Sequence, residues 1–150
     1  MAVPRKDWTL VGIQFTLFFV YLFRAPVLNP ELGMMPQYIG LALFIVGLAV
    51  IALAFWALNR HLTAFPTPKE DGRLIQSGVY RFARHPIYTG ILLSAAGFGI
   101  FTQNGLRLMI AGMLLILFMI KAGYEERLLL QKYPGYAAYK AQTGMFLPFF

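Results

Sequence analysis

Residues 38–58 read YIGLALFIVGLAVIALAFWAL, twenty-one consecutive positions without a charged side chain. A helix crosses the bilayer's hydrocarbon core, about 30 Å thick, with about 20 mostly apolar residues at about 1.5 Å each. This stretch is therefore expected to span a membrane. Three others come close to it: Trp8 to Phe23, with a continuation past Arg24 to Leu28 left open; Ile87 to Thr102; and Leu106 to Ala122, which has Arg107 at its entry and Lys121 at its exit. These three are short, so local thinning of the bilayer or snorkelling Lys and Arg side chains must supply the remaining length. The expected fold is all-α: an integral membrane helical bundle of about four transmembrane helices plus a C-terminal cytoplasmic amphipathic helix, with residues 1–150 in a single domain.

Composition agrees. Hydrophobic residues make up 59% of the 150 residues and charged residues 13%, against about 45–50% and about 25% in soluble domains. Thirteen Lys and Arg against six Asp and Glu give a net charge of +7. A bilayer accounts for that excess better than nucleic acid does, because cytoplasmic loops collect Lys and Arg. The chain has no cysteine, which excludes disulfides, thiolate catalysis and thiolate metal sites. His61 and His85 have no carboxylate at metal-ligand spacing, so no metal centre is expected.

Arg5 and Lys6 before an apolar run imitate a signal peptide. No small-x-small cleavage site follows, and the run leads into Arg24-Ala25-Pro26, so a retained anchor is expected. Basic residues gather at the N-terminus (Arg5, Lys6), between the second and third spans (Arg60, Lys69, Arg73, Arg81, Arg84) and in the C-terminal part (Lys121, Arg127, Lys132, Lys140). In a four-span chain these regions share one side, leaving Arg24 and Arg107 on the other. Both termini and the long middle loop are thus expected in the cytoplasm, in a multi-pass protein of a bacterial or archaeal-type plasma membrane. Small residues recur at Gly40, Gly47 and Ala54 and at Gly90, Ser94 and Gly97, as helices that pack closely in lipid require.

Polar chemistry collects in two places. The connection from Asn59 to His85 exceeds the usual loop length but does not look disordered. Phe65-Pro66-Thr67-Pro68 is stiff, Lys69-Glu70-Asp71-Gly72 reads as a turn, and Leu74, Ile75, Val79 and Tyr80 should pack at the membrane surface. It ends in Gly78-Val79-Tyr80-Arg81-Phe82-Ala83-Arg84-His85-Pro86, where Pro86 suits the first turn of a helix. Free N–H groups before that proline, beside Arg84 and His85, would suit an anion; equally, the two side chains would serve as headgroup anchors. The second cluster, Tyr124-Glu125-Glu126-Arg127, lies just past the fourth span, on a helix expected to run through Lys132 and stop near Tyr133 because Pro134 follows. Topology puts both clusters at facing ends of consecutive helices. Cationic donors, two carboxylates and several tyrosines would suit a zwitterion carrying an extra positive charge. S-adenosylmethionine fits that description, although the pattern does not single it out.

The runs Gly78-Val79-Tyr80 and Arg84-His85-Pro86-Ile87-Tyr88-Thr89-Gly90, followed by Tyr124-Glu125-Glu126-Arg127-Leu128-Leu129, Tyr133-Pro134, Tyr136 and Tyr139, resemble the isoprenylcysteine carboxyl methyltransferase and phospholipid methyltransferase group over roughly Leu62 to Pro148. The resemblance implies an integral membrane enzyme that methylates a lipophilic acceptor with S-adenosylmethionine at the cytoplasmic face. It implies that His85, Pro86 and Tyr88 contact the cofactor, with Gly78, Val79 and Tyr80 near the adenosine. Glu125 or Glu126 would bind the methionine amino end, and Gly90 and Tyr124 would complete the set. The chain departs from the eukaryotic members in having fewer spans and little chain before the motif, which leaves the prenylcysteine substrate open.

A carboxylate acceptor would need no base, only a dry site and an arginine to hold it; Arg81, Arg84 and Arg127 are candidates. An ammonium acceptor, as in a phospholipid or amine N-methyltransferase, would need a base such as Glu125 or Glu126. The supply of arginines tilts the expectation toward the anion, with Arg84, Arg127 and Glu126 as the catalytic set. A small transporter or an assembly subunit are the alternatives outside enzymes; against the former, no ionisable residue lies near a span midpoint. The aromatic tail (Tyr136, Tyr139, Phe146, Phe149, Phe150) would either cover the cofactor or anchor at the interface.

Overall fold

Glycine decides where the two middle helices meet. Gly40 and Gly47 lie on one face of α2 (Met34–Leu58), and Gly90 and Gly97 on the facing side of α3 (Pro86–Phe101). A Cβ on Gly97 would come within 2.5 Å of the Phe44 backbone nitrogen and 2.6 Å of the Gly40 carbonyl oxygen; one on Gly90 would lie 2.6 Å from Ile51 Cγ1 and 2.8 Å from the Gly47 oxygen. The backbones therefore touch, and α2 against α3 is the most extensive helix pair of the fold. Close approach maximises dispersion contacts where lipid supplies no hydrophobic drive between helices.

The computed structural model describes residues 4–25, 31–58, 65–67 and 74–147. The remaining elements are α1 (Arg5–Tyr21), a short 3₁₀ turn (Gly78–Arg81), α4 (Gly105–Lys132) and α5 (Tyr136–Gln142). By contact the helices line up as α2, α3, α4 and α1, so the first helix packs on the fourth. The core forms where α3, α4 and α1 converge: Ala95, Ile110, Ala111, Leu114 and Phe118, flanked by Leu17, Phe18 and Tyr21. The Tyr21 hydroxyl donates to the Ala95 carbonyl at 2.6 Å, tying α1 across to α3.

Helix ends have local causes. The Leu22 and Phe23 amides bond to Phe19 and Val20, three residues back, and this tightened turn closes α1 at Tyr21, short of the expected Phe23. The suggested continuation to Leu28 falls partly on residues 26–30, outside the described residues. Asn104 caps α4, accepting from the Arg107 amide at 3.3 Å. At its other end α4 stops where Pro134 demands, Tyr133 being extended.

The apolar helices expose their side chains outward, with Met35 72% and Trp56 83% exposed on α2 and Met109, Ile116 and Ile120 exposed on α4. Patches of that extent face lipid, not water, and the chain is an integral membrane protein. Helices α2 and α4, of 25 and 28 residues, are long and apolar enough to cross on their own. The other two expected spans, α1 and α3, are helices of 17 and 16 residues, about 26 and about 24 Å long.

Arg60, His61, the Lys69–Gly72 turn and Arg73 lie outside the described residues. Of the same connection, Phe65–Thr67 packs down on α1: Pro66 is buried, the Trp8 and Phe65 rings meet edge to face at 4.9 Å, and the Thr67 amide donates to Asp7 Oδ2 at 3.0 Å. Tyr80 is buried, with Leu74, Ile75 and Val79 half-buried.

Gly97→Val should lower the unfolding temperature in detergent, since overpacking a tight contact costs about 1–3 kcal/mol. Gly112→Ala, where nothing lies within 4 Å of the added carbon, should leave it unchanged or raise it. Equal behaviour of the two would contradict the α2–α3 contact.

Candidate active site

Proline at the first position starts α3 and leaves His85 as its N-cap residue, with φ −123° and ψ 59°. The two residues ahead of it are zipped to the chain that follows α5. Ala83 and Gly144 form a parallel bridge, the Arg84 amide donates to the Gly144 oxygen at 2.9 Å, and the His85 amide donates to the Met145 oxygen at 3.0 Å. The Thr89 hydroxyl adds a bond to the Phe146 oxygen at 2.7 Å. These N–H groups were expected to be free for an anion. They are occupied, because a tail 60 residues downstream returns as an edge partner, which local sequence does not signal.

The zipper sets Arg84 and His85 against α4. Glu126 is buried there and meets two cations and an imidazole: Arg84 Nε donates to its Oε1 at 2.7 Å, Lys140 Nζ of α5 lies 2.7 Å from its Oε2, and His85 Nε2 lies 3.4 Å from Oε1. Arg84 also donates to the Lys140 carbonyl at 3.1 Å and to the Thr143 carbonyl. Glu125, one position earlier, is different. Its side chain stays 26% exposed, its Oε2 accepts from the Tyr88 hydroxyl at 3.0 Å, and His85 Nδ1 lies 3.7 Å away. The Tyr88 ring stacks on His85 (5.4 Å between centroids, 2° between planes) and on Phe118 (4.5 Å, 4°), which fixes its hydroxyl.

Around this pair sits a shell of protonated phenols. The Tyr139 hydroxyl donates to the Tyr80 carbonyl at 2.5 Å, joining α5 to the 3₁₀ turn. Burial pushes the Tyr139 hydroxyl up to about 12 and the Tyr80 and Tyr136 hydroxyls well above their usual value, so all three remain donors at neutral pH. The Tyr136 hydroxyl is buried and has no hydrogen-bond partner among the described residues. Orphaned polar atoms of this kind cost free energy unless a ligand satisfies them.

The structure therefore brings together Arg84, His85, Pro86, Tyr88, Glu125 and Glu126, with Tyr80 alongside. Gly78, at φ +61°, and Val79 begin the 3₁₀ turn at the rim. Gly90 lies in the α2–α3 contact. Tyr124 faces α1, its ring 4.3 Å below Lys6 Nζ and its hydroxyl beside Asp7. Arg81 and Arg127 are exposed, the latter bonded to the Gly123 carbonyl. Sequence reasoning assigned Lys140 and Lys121 only a topological role and did not single out Thr89 or Gln14. Lys121 had one available signal: it stands one helical turn before Glu125 and so shares its face.

A family model for phospholipid methyltransferases matches residues 36–135. The chain belongs to the phospholipid methyltransferase family. Two rice proteins, each named a probable protein-S-isoprenylcysteine O-methyltransferase (Oryza sativa subspecies indica and japonica), are 33% identical to it over 117 residues, covering 75% of this chain and 61% of theirs. The cobalt-zinc-cadmium resistance protein CzcN of Cupriavidus metallidurans is 26% identical over 114 residues, covering 75% of this chain and 50% of that one. Among solved structures, the eukaryotic intramembrane Ras methyltransferase, isoprenylcysteine carboxyl methyltransferase, shares the fold with a TM-score of 0.71 at 24% identity, over 99% of this chain and 55% of that one. This family member thus spans about three fifths of its rice relatives' length, and its α1 precedes the matched region.

Glu126→Ala would strand Arg84 in a buried site, which costs about 3–5 kcal/mol. Lys140→Met removes a partner that is 43% exposed and should cost under about 1 kcal/mol. Denaturant titrations of the two variants in micelles would check the ranking; a Lys140 effect as large as that of Glu126 would contradict it.

Proposed function

We propose that this protein transfers a methyl group from S-adenosylmethionine to a lipophilic acceptor at the cytoplasmic face of the membrane. One observation carries the proposal: a partly open carboxylate, Glu125, accepts from the Tyr88 hydroxyl at 3.0 Å and lies 3.7 Å from the buried His85, in a chain of this family. The residues fit the cofactor chemically. Glu125 is the carboxylate left with exposed surface, and suits an ammonium. The Tyr136 hydroxyl offers unused hydrogen-bonding capacity to its polar atoms, and Tyr80 and Tyr88 offer aromatic surface for a flat base or a sulfonium.

When bound, S-adenosylmethionine supplies an electrophilic methyl group on a sulfonium. The chain's contribution is alignment and the exclusion of water. Arg84 and Lys140 lock Glu126, and through it the tail is held over the end of α3. Tyr88 orients Glu125 by its hydroxyl and is itself clamped between two rings. Glu126 is occupied by Arg84 and Lys140, and Glu125 is assigned to the cofactor. This leaves neither carboxylate of the cluster spare as a base and favours an acceptor that needs none, such as the carboxylate of a lipophilic acid, over an amine. No arginine of the expected set is placed to hold an anionic acceptor, since Arg84 is engaged by Glu126 and Arg81 and Arg127 are exposed.

Saturating S-adenosylhomocysteine, at about 100 times its dissociation constant, should stabilise the purified protein by about 2.7 kcal/mol. Deleting residues after Gln142 removes the tail bonds to Arg84, His85 and Thr89 and should abolish the shift. Radiolabelled methyl transfer should then proceed into lipophilic acids in preference to amine lipids. No thermal shift in the intact chain would overturn the enzyme reading and leave a transporter or assembly role.

A further inference from the structure

The mechanism above leaves one buried charge unused. Lys121 was expected to mark the cytoplasmic exit of the fourth span and reach for the headgroups. It points inward instead, 1% exposed, and its Nζ donates to Gln14 Oε1 of α1 at 2.6 Å. Burying an ammonium is expensive, and in membrane proteins such residues mark function more often than packing. Its surroundings give the reason. Phe118, Lys121 and Glu125 follow one another at three- and four-residue spacing on α4, so they share a face. Phe118 stacks on Tyr88, Lys121 Nζ lies 5.5 Å from the centre of the same ring, and Glu125 accepts from that ring's hydroxyl. On α1 the buried residues are Asp7, Leu10, Val11 and Gln14. Asp7 and Gln14 are thus the polar members of the face turned to α4, and the charges of both Glu125 and Asp7 act on Lys121.

From this geometry we propose that Lys121, held in place by Gln14, is a positioning residue for Glu125. It aims that carboxylate at the ammonium of the bound nucleoside, and so gives α1 a part in recognising it. This rests on the function proposed above, and specifically on Glu125 as the partner of the amino group. His85, Tyr88, Tyr80 and Tyr136 face Glu125 from the other elements, with Glu126 beside it on α4, and Lys121 joins it to the first helix. Helix α1 lies outside the region the family model matches.

The test compares S-adenosylhomocysteine with its analogue lacking the α-amino group, by calorimetric titration of the full chain in detergent. The intact protein should prefer the amino form. Lys121→Met should weaken binding of the amino form by about tenfold, a loss of about 1.4 kcal/mol, while changing affinity for the desamino analogue by less than about twofold. Lys121→Arg should restore most of the preference. Gln14→Leu, which keeps the ammonium and loosens its tether, should narrow the preference to a smaller extent and stands as the deciding variant if Lys121→Met does not fold. An equal loss for both ligands, or an unchanged preference in Gln14→Leu, would overturn the assignment and leave Lys121 a structural residue. An intact protein that binds both ligands equally would remove Glu125 as the amino partner and this inference with it. One that binds neither would overturn the proposed function itself.

Discussion

A single buried carboxylate holds the functional end of this protein together. Glu126 draws in a cation from the strand-like segment before α3, a second from α5 and a histidine ring. Charges so enclosed are tolerable only because every one is answered. Arg84 then spends its remaining donors on the carbonyls of Lys140 and Thr143, which carries the constraint into the tail. The parallel bridge, the Thr89 bond and the Tyr139–Tyr80 bond follow from where that guanidinium is fixed. Without it, the backbone bonds to Gly144 and Met145 and the Lys140–Glu126 pair would have to hold the C-terminal segment with no guanidinium tying its carbonyls to α4.

The adjacent glutamates show how one helix divides two duties. They differ by about 100° around α4, enough to turn Glu126 into the cation cluster and leave Glu125 partly open beside Tyr88. The first serves architecture; the second keeps capacity for something else. Interchange of such roles is not a matter of residue type but of which side of the helix meets the returning tail.

Much of this was legible in the chain. Gly40, Gly47, Gly90 and Gly97 announced close backbones because small residues at helical spacing have few other uses in lipid. Pro134 marked the end of α4, and the expected topology put His85 and the twin acids at one end, where they meet. What could not be read were long-range choices. Nothing local tells Lys121 to turn inward: a lysine ending an apolar run satisfies the topological rule just as well by pointing out. Its inward turn depends on Gln14, which only packing of α1 on α4 brings near. The occupied amides of Arg84 and His85 were hidden for the same reason, their partners being carbonyls that every residue possesses. The exit of α1 at Tyr21 was missed because the apolar run continues beyond the turn that ends the helix.

Helix order in space has a further bearing on how the molecule is made. Because α1 rests on α4, and its polar link from Gln14 to Lys121 joins positions 107 apart, α1 lacks that partner until α4 has emerged. The glycine-faced pair of α2 and α3 can assemble early from neighbouring sequence, as local contacts form readily. Assembly thus begins with the α2–α3 pair and closes later between α1 and α4. Until then Gln14 waits at the edge of the bilayer with its need unmet.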